Sequence, residues 1–343
     1  MKKKPANPWE TDPVKPFAEF VSSIAFVELG LRAPKYLDVD RRALPLSASS
    51  VTIYSLMFGK FVRWMGENGK TLYTVSDRDI MAFLDAGETT SRGVVKVLHS
   101  RIRMRYLRLL ERVFVHLDIV PNPARGTALT IYKTPGAGGR EKPMVVLTAE
   151  QEDAFMAALP VTGESAAGWK RRRDRAMQAL MLGAGLKVSE ALVVKNDAIG
   201  KPDDDGAVPI EVVPAKDSAL KEHQTRLRPF AVAEVSAWAA ERKRLKIPGK
   251  LLFPASLIKG ELLDKATVYR QVKKTFERAK LPLPHLGGRT LRNTFAIREL
   301  GHGTLEQVKE MMGHHLLRST EEYLRVAETL ASPVESKSVS LHG

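Results

Sequence analysis

The chain has 343 residues, with 54 Lys+Arg against 39 Asp+Glu, a formal net charge of +15 and no cysteine. Its 44% hydrophobic content can fill real cores and excludes an intrinsically disordered chain, while the lack of cysteine excludes disulfides, thiolate metal sites, Cys nucleophiles and iron–sulfur clusters. One hydrophobic core rarely grows past roughly 250 to 300 residues, so two domains are expected, and the cationic excess favours a polyanionic partner because each Lys or Arg on a phosphate releases a counterion.

Residues 1–14 are basic and interrupted by Pro5, Pro8 and Pro13, which predicts a flexible N-terminus; no apolar stretch follows Lys2, Lys3 and Lys4, so they do not read as a signal peptide. No run approaches the roughly 20 apolar residues of a membrane span, and a cytoplasmic, nucleoid-associated protein is expected. The first clear helix is 48–65, where Ile53, Met57, Phe58, Phe61, Val62 and Met65 form one apolar stripe. Ser76 is the expected N-cap of the next, with Asp77 and Asp79 in its first turn.

A helix over 94–117 follows. Ile102, Tyr106, Leu109, Val113 and Leu117 mark its core face, and beside them Arg101, Arg105, Arg108 and Arg112 recur at helical spacing. A solvated charged face normally mixes signs, whereas Glu111 is the one acid among these arginines, so the row is read as a phosphate-contact face. Pro121-Asn122-Pro123-Ala124 closes the helical block, and the Gly- and Pro-rich stretch 134–143 lies in an interdomain linker. The expected division is a flexible 1–14, a helical domain over 15–130, a linker over 131–146, a second domain over 147–333 and a flexible tail over 334–343.

In the second domain Thr148 and Gln151 make a capping box. A buried helix over 173–192 breaks at Gly183 and Gly185 and resumes near Val188. Two β-branched runs, 208–213 and 226–232, predict a small antiparallel sheet joined by a polar turn over 216–225 that carries Lys216. Helices follow at 267–280, 290–300, 304–312 and 318–330. His302, His314 and His315 lack acidic residues at metal-ligand spacing, so no metal and no cofactor is expected.

The C-terminal motifs together resemble the tyrosine recombinase, or phage integrase, family, which includes Cre-like and Xer-like enzymes. Arg173-Asp174-Arg175 followed by Gly185-Leu186-Lys187-Val188-Ser189-Glu190-Ala191-Leu192 resembles its "RD…TGLRxSEL" segment. Leu291-Arg292-Asn293-Thr294-Phe295-Ala296 resembles "LRHTFA", and Met312-Gly313-His314 with Tyr323 resembles "LGH…Y". Weaker likenesses cover the N-terminal half, at Phe61 and Trp64, 75–84 and Asn122-Pro123-Ala124.

The resemblance implies a mainly α fold: an all-helical core-binding domain, then a mostly α catalytic domain with a small antiparallel β-sheet, the two clamping duplex DNA. It implies cleavage and rejoining of DNA through a phosphotyrosine at Tyr323 without ATP, by a homotetramer on paired inverted-repeat sites, for a mobile element, phage or plasmid, with or without an accessory DNA-bending protein. Carried over, Tyr323 is the nucleophile, Arg292 clamps a phosphate oxygen, His314 contacts the phosphate, Lys216 (with Lys221 as the alternative) protonates the leaving oxygen, and Glu190 orients the site. The segment after Tyr323, 324–330, resembles the helix that relatives dock on a neighbouring protomer.

Two positions depart from the pattern. Lys187 stands where the first arginine is expected and Arg289 where a histidine is expected. An ammonium is a point charge rather than a planar fork, and a guanidinium does not exchange a proton near neutral pH, so neither exchange is conservative. The expectation is that Arg289 takes over part of the bidentate role. The alternatives are a recombinase-like DNA-binding protein that has lost cleavage, and a type IB topoisomerase, which would relax plasmids without exchanging partners.

Overall fold

The computed structural model describes residues 7–30, 45–89, 93–133, 144–161, 168–214 and 221–331. The chain divides into two compact units, Met1–Lys142 and Pro143–Gly343. Among the described residues no helix is long and apolar enough to cross a membrane.

The first unit begins earlier than the composition predicts. Asn7 caps α1 (Pro8–Thr11) by accepting from the Trp9 amide, and Trp9 packs edge-on against Phe20 and Phe58. Within the stretch expected to be flexible, Pro8–Thr11 is thus helical and anchored through Trp9. Helices α2 (Val14–Ser22) and α3 (Ile24–Glu28) pack on α4 (Ala48–Glu67), with Phe17 stacked on Phe58 at 4.0 Å between ring centres. Ser76 and Asp79 form a reciprocal capping box at the start of α5 (Asp77–Ala86).

The helix expected from 94 starts later. Val95–Lys96 is a short strand, β2, paired antiparallel with β1 (Glu88–Thr89), and α6 spans Ser100–His116. Val94, Val95 and Val97 are three β-branched residues within four, which lose rotamer freedom in a helix and favour the extended form. Asn122-Pro123 does not close the block either. The Asn122 carboxamide accepts from the Ala124 amide and donates to the Glu111 carbonyl, so the motif opens α7 (Pro123–Lys133), which runs into the expected linker.

In the second unit Thr148 and Gln151 cap α8 (Ala149–Ala157). Helix α9 (Trp169–Gly183) is almost wholly buried and is the hub of the core, where Met177, Leu180 and Met181 meet Val235 and Trp238 of α11 (Pro229–Arg244), Val272 and Phe276 of α12 (Lys265–Arg278), and Leu291 of α13 (Gly288–Leu300). The short α10 (Val188–Ala191) resumes after Gly185, which has φ +68°. An added Cβ there would lie 2.3 Å from the Phe295 ring, so glycine is required both for the turn and for the approach of α13.

Strand β3 (Val208–Val212) pairs antiparallel with β4 (His223–Leu227), with Ile210 opposite Thr225. The second strand thus lies earlier than 226–232, because Pro229 is tolerated at the first turn of a helix and starts α11. Arg226 and Arg228 both bond the buried Glu299 of α13, which fastens the hairpin to that helix. Helices α14 (Leu305–Met311) and α15 (Arg318–Ala331) complete the unit.

Candidate active site

Helix α13 supplies the centre. Thr294 accepts from the Leu147 amide and Asn293 donates to the Val145 carbonyl, so the segment opening the second unit is pinned to this helix. Gly288 lets it sit close to Met181 and Val188. Arg292, on the inward face, is only 4% exposed.

The guanidinium of Arg292 is held on three sides. Its Nη1 donates to the Gly185 carbonyl at 2.8 Å and to Glu190 Oε2 at 3.0 Å, and Nη2 donates to the Met312 carbonyl at 2.6 Å. Glu190 Oε2 also accepts from the Lys187 amide at 2.8 Å, so one carboxylate ties the α10 N-terminus to α13. A buried pair held this way is rigid, and the desolvation of both ions is offset by these extra bonds. Arg292 Nε and Glu190 Oε1 remain buried with no partner among the described residues. Buried unpaired polar atoms are rare and call for a ligand or another explanation.

Around this pair the structure assembles most of the expected residues. Lys187 is the N-cap of α10; burial of its ammonium and the nearby guanidiniums of Arg292 and Arg289 lower its pKa, against the opposite pull of Glu190. Arg289 is exposed, one turn before Arg292 on α13. His314 follows the end of α14, and its Nδ1 is 3.0 Å from the buried Thr320 hydroxyl. Burial, then the charges of Arg292 and Lys187, push the His314 pKa down to about 4, so the ring is neutral at physiological pH.

Tyr323, on α15, packs on the small core of Phe295, Ala296, Val308 and Met312 and lies parallel to His314 at 6.1 Å between ring centres. Burial raises its pKa, opposed by the charges of Arg292 and Arg289 and reinforced by Glu322. The phenol is therefore protonated at rest, beside cations that would stabilise its oxyanion.

Lys216 lies outside the described residues. Lys221, the alternative, forms an ion pair with Glu310, whose carboxyl is pulled down to about 2 chiefly by its bonds to Lys221 and Lys309. Sequence reasoning missed His223, which the structure places against Gly313, next to His314: burial lowers its pKa, its bond to the Lys221 carbonyl and the charge of Glu190 oppose that, and Arg292 and Lys187 reinforce it. The signal was hidden because the residue fell inside the predicted turn rather than on a strand.

The arginine row divides. Arg101, Arg105 and Arg108 are exposed on α6, but Arg112 is half-buried with its guanidinium carbon 4.6 Å from the centre of the Phe26 ring. Arg112 is a core contact of the first unit. Among the described residues no cluster of three or more His, Cys, Asp or Glu could hold a metal ion.

A phenol flanked by guanidinium, ammonium and neutral imidazole, with the Nε of Arg292 buried and unpartnered, suits transfer of a phosphoryl group to tyrosine. On a mainly α fold with two small antiparallel strand pairs, this is the class of the tyrosine recombinases. Residues 145–329 match the model of the phage integrase family. The chain is 27% identical over 329 residues to the tyrosine recombinase XerD of Ralstonia nicotianae, covering 94% of this chain and 92% of that one. It is 33% identical over 165 residues to the tyrosine recombinase XerC of Brucella melitensis, 46% of this chain and 48% of the relative. Among solved structures it resembles the XerH site-specific recombinase in a post-cleavage complex with palindromic difH substrate, with TM-score 0.65 and 19% identity over 94% of this chain and 97% of that one. It also resembles a lambda integrase tetramer bound to a Holliday junction, with TM-score 0.58 and 16% identity over 94% and 81% of the two chains. The chain belongs to the phage integrase family, the tyrosine recombinases, whose common activity is site-specific recombination.

Proposed function

We propose that this protein cleaves and rejoins DNA at a specific site through Tyr323. The Tyr323 hydroxyl loses its proton and its oxygen forms a bond to phosphorus; the bond from phosphorus to the 5′ oxygen breaks, and that oxygen takes a proton to leave as a free hydroxyl. A 5′ hydroxyl from another strand then reverses the step, so the energy of the broken linkage is kept and ATP is not needed. Arg292 Nε binds a non-bridging oxygen, Lys187 and Arg289 neutralise the charge that grows on the phosphorane, and neutral His314 contributes a ring nitrogen. Lys216 is proposed as the acid for the leaving oxygen.

The observation that carries this reading is the buried Arg292–Glu190 pair with Arg292 Nε unpartnered near a phenol and an imidazole. Arg101, Arg105 and Arg108 are proposed to hold the DNA backbone. The partner is duplex DNA with an inverted-repeat site, exchanged in a homotetrameric synapse to which 324–330 contributes a docking helix, in the service of a mobile element, phage or plasmid. The lambda integrase tetramer on a Holliday junction, with the same fold, supports the tetramer.

The test is a nicked suicide duplex built on an inverted repeat found beside the encoding gene. Wild-type protein is expected to form a covalent protein–DNA adduct that Tyr323→Phe abolishes while leaving gel-shift affinity unchanged. Sequence-specific binding with no adduct under any condition would show instead a DNA-binding protein that has lost cleavage, the consequence of Lys187 and Arg289 at their positions. Relaxation of plasmids irrespective of site would show a topoisomerase.

A further inference from the structure

His223 opens β4, and its ring is packed against Gly313, the residue before His314. A Cβ on Gly313 would lie 2.4 Å from His223 Nδ1, so glycine at that position is what admits the imidazole. The ring is fixed by one bond: Nδ1 lies 3.0 Å from the Lys221 carbonyl, to which it donates. The exchangeable position is therefore Nε2. That atom is buried and has no hydrogen-bond partner among the described residues, as is true of Arg292 Nε. A structural histidine would be expected to satisfy both nitrogens.

We propose that His223 is a further phosphate-binding residue of this site, its Nε2 donating a hydrogen bond to a non-bridging oxygen of the bound phosphate. The proposal rests on the reading of the pocket as a phosphate site. Burial lowers the pKa of the ring, and Arg292 on α13 and Lys187 at α10 reinforce this, against Glu190 and the Lys221 carbonyl. From α14 and its end the ring faces His314, itself neutral, and the ion pair of Lys221 with Glu310, beside Lys309. An anion arriving between these cations reverses the field. His223 then takes one proton from solvent onto Nε2 and holds it toward the phosphate oxygen, while Nδ1 stays bonded to the Lys221 carbonyl.

Two measurements test this on the full chain. In the first, the histidine ring resonances are followed against pH with inorganic phosphate or with chloride at matched ionic strength, His223→Gln serving to assign the signal. Phosphate is expected to raise the His223 pKa by about one unit, the effect of an opposite charge at contact distance; an unchanged value overturns the proposal. In the second, single-turnover adduct formation on the nicked duplex is compared for His223→Leu and His223→Gln. The leucine variant is expected to lose roughly 100-fold in rate with gel-shift affinity retained, the usual cost of one donor to a transition-state oxygen, and glutamine, a permanent donor, to recover most of it. Cleavage by His223→Leu at the wild-type rate overturns the proposal, as does an equal loss in both variants without change in melting temperature. Absence of any adduct from wild-type protein sinks the recombinase reading, and the phosphate titration then decides His223 by itself.

Discussion

At Arg292 three hydrogen bonds engage both N–H groups of Nη1 and one of Nη2, and the guanidinium is fixed before any substrate arrives. Such preorganisation removes reorganisation cost at the moment of reaction. It also means that Arg292 can offer the phosphate only its Nε N–H and the second N–H of Nη2, so the remaining charge must be met by other cations. Arg289, exposed one turn earlier, is free to swing, whereas Lys187 carries a lowered pKa and a single point of charge. Arg289→Ala is therefore expected to slow adduct formation roughly 100-fold while leaving the melting temperature within a degree or so. A rate unchanged within experimental error would assign the charge to Lys187 alone. Tyr323, Arg292, His314 and Glu190 could all be picked out in the sequence because their motifs are local. His223 could not, since its function depends on the ring meeting Gly313, 90 positions later in the chain.

Helix α6 shows how a periodic pattern can be right in direction and wrong in membership. Spacing placed Arg101, Arg105, Arg108 and Arg112 on one face, yet the last lies over Phe26. The distinction can be measured. Arg105→Gln is expected to reduce the slope of log affinity for DNA against log salt by about one, with little change in stability, because one phosphate contact is lost. Arg112→Gln is expected to leave that slope unchanged and to destabilise the first unit by about 1 kcal/mol, read from the denaturant midpoint. The break between α9 and α10 is a second case. Gly185→Ala forces a side chain into positive φ and into the Phe295 ring, at an expected cost of about 2 kcal/mol or more and with misplacement of α13. Urea unfolding followed by Trp fluorescence checks it, since Trp169 and Trp238 are both in the second unit.

Over the whole molecule the concentration of cations around one pocket makes stability depend on pH. His314, held down to about 4 in the folded state, has an ordinary value of about 6.5 when unfolded. Between these values the unfolded chain binds more protons, so stability falls as pH drops through that window, at up to about 1.4 kcal/mol per pH unit for each such group. His223 acts in the same sense; Glu152, pushed up to about 7 by burial, acts in the opposite one between about 4.5 and 7. The melting temperature is expected to fall less steeply between pH 6.5 and 5 in His314→Gln than in wild type. Equal slopes would show that the imidazole is not buried neutral.

The sequence by itself determined what depends on neighbours along the chain: the helical periodicities of α4 and α6, the capping boxes at Ser76 and Thr148, the β-branched run of β3 and the motifs that carry Arg292, His314 and Tyr323. It misjudged elements whose state is set by contacts far away. Trp9 orders α1 only because Phe20 and Phe58 receive it, and β4 lies at His223–Leu227 because β3 and Glu299 hold it there. Tertiary structure alone decided that Arg112 belongs to a core, that Lys221 is engaged by Glu310, and that an imidazole from the hairpin joins the pocket. The physical reason is the same each time: propensity is a local free energy of a few tenths of a kcal/mol, while burial of an aromatic ring or an ion is worth several times more and is fixed by partners distant in sequence.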